Sequence, residues 1–154
     1  MNRAHHFGTR SMVLVMLLSV THATFSAERR MVLVSSAQSD IPTLSALELR
    51  HLFLGMPIVK NGRKLQPLRN NTDPVLYEVF LQKIVFLSAR NYEHHLLSQV
   101  FRLGGQRPPL YADINELVNA LKSRPGSVSY MWADTAQTQA DIRIIEDLWQ
   151  GLIE

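Results

Sequence analysis

Cysteine is absent from the 154 residues of the chain. Its absence excludes disulfide bonds, thiolate catalysis and zinc sites built on cysteine. Small domains secreted outside the cell usually need disulfides, whereas a domain in the bacterial periplasm can fold without them. For a secreted chain, the lack of cysteine therefore favours a periplasmic location.

Acidic residues are missing from the first 27 positions, and no long apolar run occurs anywhere. Arg3 and Arg10 precede the nine-residue run Met12–Val20, and small residues follow it. This pattern predicts a secretory signal peptide. The run is far shorter than the roughly 20 residues that span a bilayer as a helix. We expect cleavage after Ala23, with Ala27 as a later alternative, and no membrane span after removal of the signal.

A strong positive charge is also missing once the signal is removed. The whole chain has 16 basic and 13 acidic residues, a formal net charge of +3. Residues 1–23 contain two arginines and no acidic residue. After their removal, 14 basic and 13 acidic residues remain, a formal net charge of +1. Nucleic-acid binding needs a basic face or stripe, so no nucleic-acid partner is expected. Residues 28–154 are long enough for one domain with its own core.

Motifs for catalysis or metal binding are absent as well. There is no nucleophile elbow, P-loop or HExxH sequence. His94 and His95 are adjacent, so on a helix they point about 100° apart and do not form a metal pair. The carboxylates Glu78 and Glu93 are expected on solvated helix faces. The sequence therefore predicts neither an enzyme nor a metal or other cofactor.

The order of the predicted elements indicates an α/β domain of two or three layers. Four residues have the sequence context of helix N-caps: Ser45, Asp73, Ser88 and Asp113. Four runs are predicted strands: Met31–Ser36, Lys64–Asn70, Ser127–Trp132 and Ile142–Glu146. Because helices separate most of these strands, we expect a central sheet flanked by helices.

Three segments resemble those of periplasmic phosphate-binding proteins, the substrate-binding subunits of ABC transporters. They are "LSALELRHLFLGMP" (44–57), "VFRLGGQRPP" (100–109) and "ELVNALKSRPGSVSYMWAD" (116–134). The similarity covers roughly residues 32–145 and is greatest to short, single-lobed members. It implies one lobe of a type II periplasmic-binding-protein fold, with a central mixed sheet. It also implies non-covalent binding of phosphate or a related oxyanion, for transport or sensing.

The resemblance also implies a ligand site, on an arginine and a Ser-Gly-Thr turn before the second helix. The matching segment here is Arg69, Asn70, Asn71 and Thr72, followed by Asp73-Pro74. In one interpretation these four residues bind an anion at a helix N-terminus. In the other, Asp73 is the helix cap, Asn70-Asn71 is a turn and Arg69 is a solvated charge. Ser35 and Ser36, after the first strand, are further ligand candidates.

Two functions follow from these interpretations. The domain binds an oxyanion, or it is a protein-interaction module of the same fold that has lost anion binding. The second function predicts contact with an envelope or membrane protein. Trp132 and Trp149 are interface anchors if exposed, and core residues if buried.

Overall fold

A computed structural model of the protein describes residues 28–153. The predicted signal peptide, residues 1–23 with cleavage as late as 27, lies outside the described residues. The strands are β1 (Glu28–Ser36), β2 (Val59–Lys60), β3 (Arg63–Lys64), β4 (Gln66–Pro67), β5 (Arg69–Asn70), β6 (Leu110–Tyr111), β7 (Ser127–Trp132) and β8 (Ile142–Leu152). The helices are α1 (Ala46–Phe53), α2 (Pro74–Phe80), α3 (Ala89–Leu103), α4 (Ile114–Ser123) and α5 (Ala133–Gln137), and a π-helical segment, Leu81–Val85, continues α2.

Four strands form the central sheet in the order β4-β7-β1-β8. Strand β1 is antiparallel to both of its neighbours, whereas β4 is parallel to β7. Strands β5 and β6 pair in parallel beside it. The sheet is therefore mixed, as the sequence predicted.

The side chains of β1 alternate between two hydrophobic cores. Met31 and Leu33 pack with residues of α1, α2 and α3. Val32 and Val34 pack with residues of α4 and α5 on the other face. A strand covered on both faces has to be apolar at successive positions, which explains the run Met31–Val34. The result is three layers, with the sheet in the middle.

All four predicted helix starts are confirmed. Ser45, Asp73, Ser88 and Asp113 are the N-caps of α1, α2, α3 and α4, and each side chain accepts hydrogen bonds from backbone N–H groups of the first turn. These bonds satisfy donors that have no partner inside the helix.

Several elements differ from the prediction. The strand expected over Lys64–Asn70 is divided into short pieces around Pro67, which has no amide to donate to a neighbouring strand. Strand β8 runs to Leu152, because it pairs with β1 as far as Glu28. Helix α5 was not predicted, and its N-cap, Trp132, makes no side-chain capping bond.

The α1 capping box generates a prediction about acid stability. A hydrogen bond from Lys60 (2.7 Å) and one from the Ser45 N–H (2.9 Å) lower the pKa of Glu48 to about 2. A lowered carboxyl pKa stabilises the fold above the unfolded value, near 4.3, and this contribution is lost as the pH falls toward 2. Glu48→Gln should therefore lose stability at neutral pH and show a shallower decline in acid. Urea unfolding between about pH 6 and about pH 2 measures both effects.

Glu78→Gln is the matched control, because the Glu78 carboxylate is exposed and accepts a hydrogen bond from Gln82, one turn along the chain, with no ion pair among residues 28–153. A Glu48→Gln protein with the pH dependence of the parent would contradict the assignment.

Candidate functional site

Arg69 is buried at the start of β5. Its side chain is 5% exposed and forms an ion pair with Glu93 of α3. Its Nε–H also donates to the Pro108 carbonyl oxygen at 2.9 Å. Arg69 is therefore not the solvated charge of the structural interpretation. Its charge is already neutralised inside the protein, as a buried guanidinium requires.

Asn70 is fully buried and bonded to β7. Its side-chain amide donates to the Tyr130 carbonyl oxygen at 2.8 Å, and its side-chain oxygen accepts from the Thr72 N–H at 2.9 Å. The Tyr130 hydroxyl accepts from the Asn70 N–H at 3.1 Å and donates to the Asn70 carbonyl oxygen at 2.8 Å. The polar groups of Asn70 are therefore hydrogen-bonded within the protein, where they join β5 to β7.

Asn71 and Thr72 follow β5 directly, and both are half-buried. The Asn71 N–H donates to the Tyr111 carbonyl oxygen at 2.8 Å. Thr72 lines a cleft of about 390 Å³ at the carboxyl end of β7. Among the four consecutive candidates, Thr72 is thus the residue that reaches this cleft.

Asp73 occupies the N-terminus of α2 with its carboxylate. Oδ1 accepts from the N–H groups of Val75 (2.8 Å) and Leu76 (3.2 Å). Oδ2 accepts from the Trp132 indole N–H at 2.8 Å and lies 3.5 Å from an Arg29 nitrogen. The carboxylate therefore uses the backbone amides, a side-chain donor and a cation that a bound oxyanion would need.

Asp73 remains ionised in this environment. Partial burial disfavours its charged form, but the hydrogen bonds from Trp132, Leu76 and Val75, together with the Arg29 charge, outweigh that effect. The pKa of Asp73 is therefore held below its ordinary value. The N-terminus of α2 consequently carries a permanent negative charge at neutral pH.

The side chains that line the cleft beside Asp73 include two carboxylates and one cation. Its charged lining residues are Arg29, Asp73 and Asp113. Asp113 caps α4 at the same end of the sheet. Asp134 also pairs with Arg29, at 3.6 Å. Two like charges 4 Å apart near a protein surface repel each other by about 4 kcal/mol, so the Asp73 carboxylate would repel a phosphate bound at the same helix end.

Ser35 and Ser36 lie at the other end of the sheet. Ser35 is fully buried, and its hydroxyl donates to the Ser36 carbonyl oxygen at 3.3 Å. Ser36 lines a different cleft, beside Gly126 and Ser127, where β7 begins. The structure thus does not bring these serines together with Arg69–Thr72.

The two tryptophans considered as interface anchors lie in or beside the core. Trp132 is 3% exposed and belongs to the core, and the half-buried Trp149 ring lies 6.4 Å from it. Among residues 28–153, no group of three or more His, Asp or Glu side chains is arranged to hold a metal ion. No helix in that range is long and apolar enough to cross a membrane.

Three residues position the site, although the sequence analysis did not assign them that role. They are Glu93, the counter-ion of Arg69; Tyr130, which holds Asn70; and Arg29, which lies over the Trp132 ring at 4.1 Å and pairs with Asp73. Glu93 was expected on a solvated helix face. Its position next to the core residue Tyr92 was the available signal, because it sits at the margin of the buried face.

The comparisons with known proteins support the fold. No family model and no curated protein matches the chain. PstS from Borrelia burgdorferi superposes with a TM-score of 0.54 at 11% identity, over 78% of this chain and 47% of that one. A structure described as a possible phosphate binding protein from Planctomyces limnophilus has a TM-score of 0.55 at 11% identity, over 79% and 42%.

The chain therefore spans less than half of either structure, and at this identity the likeness shows the fold alone. The predicted fold class is confirmed: an α/β domain with a central mixed sheet, matching a single lobe of a PstS-like binding protein.

The Arg69–Glu93 ion pair generates a prediction about stability. Glu93→Ala would leave a buried guanidinium without its counter-ion. Because the Glu93 side chain is 38% exposed, we expect a loss of about 2–3 kcal/mol, below the roughly 3–5 kcal/mol typical of fully buried pairs. Chemical denaturation measures the change. Glu78→Ala should stay within about 0.5 kcal/mol of the parent, and equal effects of the two substitutions would refute the role of Glu93.

Proposed function

We propose that this protein is an exported, non-catalytic binding module that contacts another protein of the cell envelope. Its fold is that of a solute-binding lobe, but phosphate is not its ligand at α2. The observation that carries the proposal is the Asp73 carboxylate at the N-terminus of α2, bonded to two backbone amides and an indole N–H. The protein's own anion thus takes the position in which an oxyanion would bind.

Exposed aromatic side chains support a protein partner. Phe86 is 62% exposed and Phe101 is 82% exposed. Phe86 also has a φ of 57°, in the left-handed region that a bulky residue rarely adopts. Aromatic residues are enriched in protein interfaces, and strained backbone is retained mainly where function requires it. We infer that Phe86 is a contact residue for the partner.

Oxyanion binding for transport or sensing is the second candidate function, and the likeness to a structure described as a possible phosphate binding protein favours it. In that case, Thr72 and Arg29, which line the cleft, would contact the anion after displacement of Asp73. A periplasmic location suits both candidates.

Anion titration separates the two functions. We expect phosphate and sulfate to leave the thermal stability of the protein unchanged, because Asp73 already satisfies the donors at α2. A ligand at 100 times its dissociation constant adds roughly 2.7 kcal/mol to the free energy of unfolding. A gain of that size, abolished by Thr72→Ala or Arg29→Ala, would establish the oxyanion function instead. Asp73→Ser, which keeps a capping hydroxyl without the charge, tests whether the carboxylate is the obstacle.

Site-specific photo-crosslinking tests the protein partner. A photoreactive phenylalanine analogue at position 86 should give one discrete adduct in cells that produce the protein. The same analogue at exposed Gln82, in the preceding helical segment, is the matched control. Equal labelling from both positions, or no adduct from position 86, would contradict the proposed contact.

A further inference from the structure

We propose that a groove at the other end of the sheet binds a small anionic molecule that carries an apolar portion. This inference does not depend on the proposed function, because the groove and the Asp73 cleft are lined by different residues. The groove lies where α1 and α3 end and where β4 begins.

The groove has the size of a small-molecule site. Its volume is about 560 Å³, within the roughly 300–1,000 Å³ typical of ligand pockets. Leu65, Met56 and Leu103 provide apolar surface, and four prolines line it as well: Pro57, Pro67, Pro108 and Pro109. Leu103 is 63% exposed, so a bound apolar group would cover surface that now contacts water. Burial of such surface favours binding.

The charge of the groove is positive. Lys64, Arg107 and Arg124 line it, and no Asp or Glu is among the lining residues. The side chains of Lys64 and Arg124 have no hydrogen bond or ion pair with any residue in the range 28–153. Arg107 contacts Glu93 at 3.0 Å, but Glu93 also neutralises Arg69. Two of the three cations are therefore available to a ligand.

Helix dipoles do not cancel this charge. The carboxyl ends of α1, α3 and α4 all reach the groove, at Gly55, Gly104 and Arg124. Each helix end carries about −0.5 of an elementary charge, or about −1.5 in total. Lys64 and Arg124 alone, with a charge of about +2, exceed that sum, so the groove attracts an anion even after the dipoles are included.

The edge of the sheet favours a small molecule over an added β-strand. The amides of Gln66 and Leu68 donate to carbonyl groups at Gly126 and Val128, toward β7. Between them, Pro67 has no N–H to offer on the open side. A peptide strand would therefore lack a backbone donor at the centre of the groove, whereas charged and apolar side chains suit a small amphiphilic anion.

Suberate, an eight-carbon dicarboxylate, is the test ligand for the purified protein. Isothermal calorimetry should detect suberate binding, with much weaker binding of 1,8-octanediol, which has the apolar chain without charge. Inorganic phosphate, which has charge without the chain, should also bind more weakly. NMR shifts of the Gly104 and Gly105 amides on addition of suberate should locate the ligand in the groove.

The double variant Lys64→Ala/Arg124→Ala should weaken suberate binding by about tenfold, since two exposed charge contacts are removed. The matched control, Lys83→Ala/Arg90→Ala, removes two exposed cations outside the groove and should bind like the parent. The inference fails if suberate does not bind, if octanediol or phosphate binds equally well, or if both double variants lose affinity alike. Each of these results leaves the proposed protein partner untouched.

Discussion

The Tyr130 side chain connects the central sheet to the segment that begins α2. Its hydroxyl bonds both the N–H and the carbonyl oxygen of Asn70, and the Asn70 side chain bonds the Tyr130 backbone in return. The Phe80 ring stacks on Tyr130 with centroids 3.9 Å apart. The hydrogen bonds of Tyr130 therefore hold β5 against β7, and its ring holds α2 against β7. The position of Asp73 between them follows, because it is three residues from Asn70 and directly precedes α2.

Burial of polar groups beside this aromatic cluster limits what they can bind. Arg69 and Asn70 are 4% and 0% exposed, and removal from water costs free energy unless every donor and acceptor is paired. Both residues are paired with the protein, through Glu93, Pro108 and Tyr130. A ligand that recruited either of them would have to break these bonds. Their side chains are of a type that binds anions, but here they are bonded to other parts of the protein and stabilise the fold.

The N-terminus of a helix attracts negative charge whatever the source of that charge. In this protein the source is internal, since Asp73 satisfies the α2 amides and pairs with Arg29. A fold that resembles phosphate-binding proteins can therefore lack their anion chemistry at this position, because fold and function are separable. Lys64 and Arg124, two cations whose side chains have no hydrogen-bond or ion-pair partner among residues 28–153, lie at the other end of the sheet.

The amino-acid sequence by itself determined the local features of this protein. Helix starts at Ser45, Asp73, Ser88 and Asp113 were predictable because a cap bonds amides two or three residues away. The buried strand at Met31 was predictable from its apolar run. The partners of Arg69 and Asn70 were not, because Glu93 is 24 residues away and Tyr130 is 60 residues away. Only tertiary packing brings such residues together. It therefore decided which polar side chains form hydrogen bonds and ion pairs inside the protein and which face solvent.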